Sequence, residues 1–150
     1  MANLKSTKNG FSLMEVLVGI ALIATVLIGL AQLFTLSVMN NLRSSEISNA
    51  TFLAQQNIDY LRNLTRAEMN DFPQTARGES ADEAVDLNAD GTMDFRRLTQ
   101  ITPQITSDRT FYDIRVLVFP ETERSTPIAQ LLADPGQHRV QAQINTVISR

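Results

Sequence analysis

Two places in this 150-residue chain put charged oxygen where it could do chemistry. The first is Glu15, a carboxylate near the start of an apolar run, with Phe11, Leu13 and Met14 before it and Val16 after it. An acidic residue costs roughly 2.5–3.5 kcal/mol at the centre of a membrane helix, so one that is kept there calls for a positive partner or the headgroup region. The second is Asp86-Leu87-Asn88-Ala89-Asp90-Gly91-Thr92-Met93-Asp94. Oxygen-bearing side chains at loop positions one, three, five and nine, with glycine at six, follow the first part of an EF-hand loop, in which alternate side chains converge on one ion and the seventh carbonyl, here Thr92, turns inward. Asp86, Asn88, Asp90, Thr92 and Asp94 are therefore a candidate set for a structural calcium ion, with Glu79, Asp82 or Glu83 to complete the shell. Arg97 stands where a bidentate glutamate would close that loop, and the same residues would equally form an Asp-Gly turn with solvated acids. No phosphate-binding glycine loop, nucleophile elbow or pair of histidines occurs; His138 is the only histidine, and an enzyme is not expected.

The elements that position these residues are legible from charge and periodicity. Residues 16–42 hold no charge, and both lysines, Lys5 and Lys8, precede them. About 20 apolar residues cross a bilayer as a helix, so residues 11–39 suffice to span one, and the lysines put the N-terminus on the cytoplasmic side. A cleaved secretory signal has a shorter apolar core and a small-residue site behind it, which this segment lacks. The rest of the chain is mildly acidic and free of lysine, a poor match for a phosphate backbone, so no direct nucleic-acid partner is expected. There is no cysteine, hence no disulfide to staple a small domain.

Lys8-Asn9-Gly10-Phe11-Ser12-Leu13-Met14-Glu15-Val16-Leu17 closely resembles the leader and mature start of type IV prepilins and of type II secretion pseudopilins. The resemblance implies that residues 1–10 are a leader removed by a prepilin peptidase, which cuts after Gly10 and methylates the new amine of Phe11. It implies also that Glu15 neutralises the amine of a neighbouring subunit. Burying the two together leaves neither charge unpaired. The expected partners are the peptidase, other pilin or pseudopilin subunits, an inner-membrane assembly platform, and lipid before assembly. Residues 53–62, LAQQNIDYLR, resemble the corresponding stretch of PilV-type minor pilins and of minor pseudopilins. A minor pilin of a type IV pilus is the reading this favours; a type II pseudopilin and an unprocessed membrane-tethered domain are its rivals.

Beyond residue 40 the pattern turns amphipathic. Ile47, Ala50, Ala54, Ile58, Leu61 and Leu64 fall on one helical face, and no proline precedes Pro73. A helix from about residue 11 to about 66 would be roughly 80 Å long. Its second part, residues 40–66, must cover something. Residues 67–92 read as a polar loop. Residues 95–102, closed by Pro103, residues 112–118, stopped by Pro120, and residues 140–148 read as strands. A short helix between the last two is expected, capped by Thr126 and opened by Pro127. The fold class is α+β: a helical spine carrying a head, residues 67–150, with a small antiparallel sheet of three or four strands.

Overall fold

The computed structural model describes residues 10–72, 80–106 and 109–149. In chain order the elements are helix α1 (Leu13–Asn63), helix α2 (Arg66–Asp71), strands β1 (Ser80–Val85), β2 (Phe95–Ile105) and β3 (Thr110–Pro120), a 3-10 turn at Glu121–Glu123, helix α3 (Ile128–Ala133) and strand β4 (Ala142–Ser149). The strands form one antiparallel sheet in the order β1-β2-β3-β4. The α+β class expected from the pattern is the class observed. The chain divides into two compact units, one ending at Arg43 and the other starting at Ser44.

In the first unit, α1 has an 18-residue window of mean hydropathy 2.5 with none of it buried, long and apolar enough to cross a membrane. Its two threonines do not leave hydroxyls unpaired. Thr25 donates to the carbonyl of Ala21 at 2.8 Å and Thr35 to that of Ala31 at 3.0 Å, the bonds a hydroxyl needs where no water is at hand. Gly19 and Gly29 lie within the helix, where each costs about 1 kcal/mol against alanine, and a Cβ on either would meet nothing within 4 Å.

In the second unit, the part of α1 from Ser44 onward buries Ala50, Leu53, Ala54, Asn57, Ile58 and Leu61. The expected stripe holds from Ala50 to Leu64 and fails at its first residue. Ile47 stays exposed and Leu64 is only partly buried, while Leu53 and Asn57 join the buried face. The helix stops at Asn63 rather than near 66, because Thr65 caps a new helix. Its hydroxyl accepts the Glu68 N–H at 3.3 Å while the Glu68 carboxylate accepts the Thr65 N–H at 2.7 Å, a reciprocal capping box. Residues 67–92 are thus not one loop, since they include most of α2 and all of β1.

The sheet's helix-facing side supplies Phe95, Ile101, Tyr112, Ile114, Val116, Val118, Ala142 and Ile148 to the core built on α1. Asn57 adds a buried polar tie, donating its amide to the Thr99 hydroxyl on β2 at 2.6 Å. The opposite side carries a second, smaller core of Leu98, Leu117, Phe119 and Leu131, the last from α3. Pro103 does not close β2 as expected. Among the described residues β1 pairs with β2 only from Phe95 to Gln100, so no described strand calls for an N–H from Pro103 on that side, and β2 continues to Ile105 against β3. α3 begins at Ile128 with Pro127 as its cap, and Thr126 is not the capping side chain; its hydroxyl donates to Glu123 at 2.8 Å instead.

Asn57→Ala would leave the Thr99 hydroxyl buried and unpaired. The loss is expected at about 1–3 kcal/mol in urea unfolding of the detergent-extracted protein, with Asn57→Ala combined with Thr99→Val costing less than the single change.

Candidate functional site: the N-terminal segment and the acidic hairpin

Gly10, Phe11 and Ser12 lie outside helical structure, and α1 starts at Leu13. The Ser12 carbonyl accepts the N–H groups of Glu15 at 3.0 Å and Val16 at 3.2 Å, which launches the helix. The Gly10–Phe11 peptide bond therefore lies in exposed, non-helical chain just ahead of the first helical turn. Gly10 is not demanded by the chain's own packing. It lacks the left-handed backbone that favours glycine, and a Cβ there would meet nothing within 4 Å. Any requirement for glycine at this position must come from what binds it.

Glu15 sits in the first turn of α1, beside the partial positive charge of the unpaired helix N–H groups, and its side chain is exposed. Around it Phe11 is 82% exposed and Leu13 85%. A carboxylate, an exposed aromatic at the helix entrance and an apolar helix bare on every face make a surface complete only against other apolar helices or lipid. Lys5 and Lys8 lie outside the described residues.

The acidic motif forms the hairpin joining β1 to β2. Val85 pairs with Phe95, and the Asp94 N–H closes the turn on the Val85 carbonyl at 2.9 Å. The five candidate ligands are brought into one loop, where the side-chain oxygens of Asp86, Asn88, Asp90 and Asp94 accept from its own backbone and the Thr92 hydroxyl donates to Asp90. Asp86 accepts the N–H groups of Ala89 at 2.7 Å and Gly91 at 2.8 Å. Asn88 accepts that of Asp90 at 3.0 Å, Asp90 that of Thr92 at 2.8 Å, and Asp94 that of Leu87 at 2.9 Å. Gly91 takes the expected turn with φ of 89°, and Ala89 is also left-handed at 59°. Among the described residues no group of three or more acidic or histidine side chains is gathered closely enough to hold a metal ion.

The further acids named as shell candidates are otherwise engaged. Asp82 forms a forked pair with Arg96, at 2.9 Å to both Nε and Nη2, and Glu83 meets Arg97 at 2.6 Å. Glu79 lies outside the described residues. Arg96, whose charged form Asp82 stabilises through that hydrogen bond, also donates to the carbonyls of Glu123 and Thr126, tying β1, β2 and the segment before α3 together. Neither arginine pair was foreseen from the sequence, because β1, Ser80-Ala81-Asp82-Glu83-Ala84-Val85, carries little alternation to mark it as a strand. The capping box at Thr65 did have a signal in its Thr-x-x-Glu spacing. His138 is not a free surface group; its Nδ1 is 3.1 Å from the Glu123 carboxylate and is partly buried.

Residues 5–31 match the family model of the prokaryotic N-terminal methylation motif. The match takes in Lys5, Lys8, the Gly10–Phe11 bond, Glu15 and the first part of the apolar helix, so the N-terminal segment is similar to that of type IV pilin-like precursors, of pilus or pseudopilin kind. Such a motif implies processing by a prepilin peptidase, assembly with other pilin subunits, and anchoring in a membrane. Proteins with such a segment are typically structural. No curated protein and no solved structure matches the chain.

Ala89→Gly is expected to stabilise the head by about 1 kcal/mol by removing the left-handed strain of a residue with a Cβ, read as a higher melting temperature. Acid should act in the opposite sense. The Thr92 hydroxyl and N–H hold Asp90 below the usual carboxylate range, the Thr65 N–H and hydroxyl do so for Glu68, and the Thr126 hydroxyl, helped by His138, does so for Glu123. A carboxyl with a folded-state pKa below its unfolded value stabilises the fold fully above the unfolded value, and that stabilisation is lost as pH falls through the folded one. Melting temperature should therefore hold from neutral pH to about 5 and drop through and below about 4, where unperturbed carboxylates titrate.

Proposed function

We propose that the protein is a minor pilin of a type IV pilus. It is inserted by residues 11–39 with the N-terminus cytoplasmic and the head periplasmic, cut after Gly10, methylated on Phe11, and passed by an inner-membrane assembly platform into a filament reaching the cell surface. The observation that carries the reading is the methylation motif running directly into an apolar helix that is bare on all sides and has Glu15 in its first turn. Trimming residues 1–10 removes both lysines and moves the formal net charge from −3 to about −5, leaving Glu15 close to a new amine.

The physical step is a change of surroundings for the helix. In lipid, Glu15 and the Phe11 amine can remain near the headgroups. In a bundle of such helices each must meet an opposite charge, and an amine of one subunit against Glu15 of the next sets the stagger at which neither is left alone. Residues of the 53–62 stretch and the absence of a proline from residues 1–72 support a minor rather than a major subunit. The same observations support a minor pseudopilin of a type II secretion machine as the second reading. The acidic hairpin is assigned a structural task, ordering the β1–β2 connection, with calcium at Asp86, Asn88, Asp90, Thr92 and Asp94 as a ligand to be tested by melting with and without chelator.

Intact mass of the membrane-extracted protein, with and without co-expressed prepilin peptidase, should show loss of residues 1–10 and gain of one methyl. An uncut chain would remove the filament reading and leave a tethered domain. Glu15→Ala should insert and be cut but reach sheared surface fibres poorly; normal incorporation of that variant would sink the assigned role of Glu15.

A further inference from the structure

Glu46 of α1 and Asp94 of the β1–β2 hairpin line one cavity of about 290 Å³. Leu87, Phe95 and Pro120 give it apolar lining, and Gln141, just ahead of β4, lines it as well. The cavity lies at the Val85–Phe95 end of β1, about 17 Å along the strand from Ser80. Asp94 accepts the Leu87 N–H on one oxygen, Oδ2, at 2.9 Å. Glu46 accepts from Gln141 Nε2 at the long distance of 3.4 Å, and the Gln141 side-chain oxygen is buried without a hydrogen bond. Asp82 and Glu83 on β1 meet arginines at 2.9 Å and 2.6 Å, whereas among the described residues no cation stands within ion-pair distance of Glu46 or Asp94.

We propose that this cavity receives the lysine side chain of a different subunit of the filament. The donor type follows from the lining. Acceptors reach the cavity from three separate segments, α1, the hairpin and residue 141, and a compact ammonium with three rotatable N–H groups can meet them. A guanidinium asks instead for a planar fork of the kind Asp82 offers Arg96. A lysine stem lies along apolar surface while its head stays among polar groups, and Leu87, Phe95 and Pro120 provide that surface. As the ammonium takes the Glu46 carboxylate, the Gln141 amide is released to turn its unused oxygen toward it. Charge complementarity of this sort selects partner and register more than it adds affinity. The partner is another kind of subunit because, once residues 1–10 are removed, this chain has no lysine to offer a second copy of itself. That suits a minor subunit, whose neighbours are mostly of other sequence. The partner's being a subunit rests on the filament reading; the cavity and its preference for an ammonium do not.

The lack of lysine also makes the test clean. Envelopes of cells that make the complete filament system would be treated with a water-soluble carbodiimide, which condenses a carboxylate with an amine in contact with it. The tagged chain would then be digested and its isopeptides sequenced by mass spectrometry. Joining of Glu46 or Asp94 to a lysine of another pilin-like subunit is expected, in chains that begin at Phe11. Asn49→Phe, one helical turn from Glu46, fills the cavity and leaves both carboxylates in place, so it should abolish this product in a chain that still melts cooperatively. Persistence of the product in that folded variant would show Glu46 coupling merely as an exposed helix acid, and would overturn the cavity assignment. Cut chains in which neither carboxylate is coupled, or in which the exposed acids Asp59 and Asp113 couple as often, would overturn it too. Uncut chains joined at Glu46 to another protein's lysine would keep the lysine site and remove the filament reading; uncut chains without the product would remove both.

Discussion

An antiparallel sheet of four strands cannot hide its own apolar face, and in this protein the cover is the last part of α1. Ala50 and Ala54 are small enough to let the sheet approach, while Leu53, Ile58 and Leu61 fill the space against Ile114, Val116 and Val118. Removing this apolar area from water is the main favourable term holding the head together in a chain with no disulfide. The helix that supplies this cover from Ser44 onward is the one whose earlier residues carry the apolar segment.

The second core gives the opposite side of the sheet a different character along its length. Near the Pro120 end, Leu117 and Phe119 are covered by Leu131 of α3, and Arg96 fastens the intervening chain with bonds to two carbonyls and a carboxylate. Only 6% of Arg96 is exposed, so its charge is tolerable because Asp82 answers it in forked geometry. Toward the other end of β3 the positions on that side are Arg115 and Phe111, half-buried, and Asp113, exposed. One face of the sheet thus changes from core to surface within a single strand.

The acidic hairpin shows how one motif serves two geometries. A spacing that would converge oxygens on an ion also lets Asp86, Asn88 and Asp90 accept backbone N–H groups two, three or five residues on, and the second arrangement shapes this loop. Side chains of this kind compete with the backbone's own partners whenever they sit in turns, which is why the spacing alone left both readings open.

The N-terminal segment, the α+β class, strands β2 to β4 and the amphipathic stretch after residue 40 were legible in the sequence, because each depends on local periodicity or on a motif read by partners outside the fold. Glu15 stands out simply as a charge in an apolar run. Other features became visible only in three dimensions. β1 is a strand because Asp82 and Glu83 find Arg96 and Arg97 across it, an interaction fourteen residues apart that no local pattern announces. Leu53 and Asn57 replaced Ile47 on the buried face because the sheet, rather than the helix, decides where contact begins and ends. β2 runs through Pro103 because its pairing with β3 continues to Ile105, and among the described residues none of β1 pairs beyond Gln100. Sequence determined which residues prefer to be apart from water; the tertiary structure decided which of them meet, since pairing partners, open edges and cover are properties of neighbours distant along the chain.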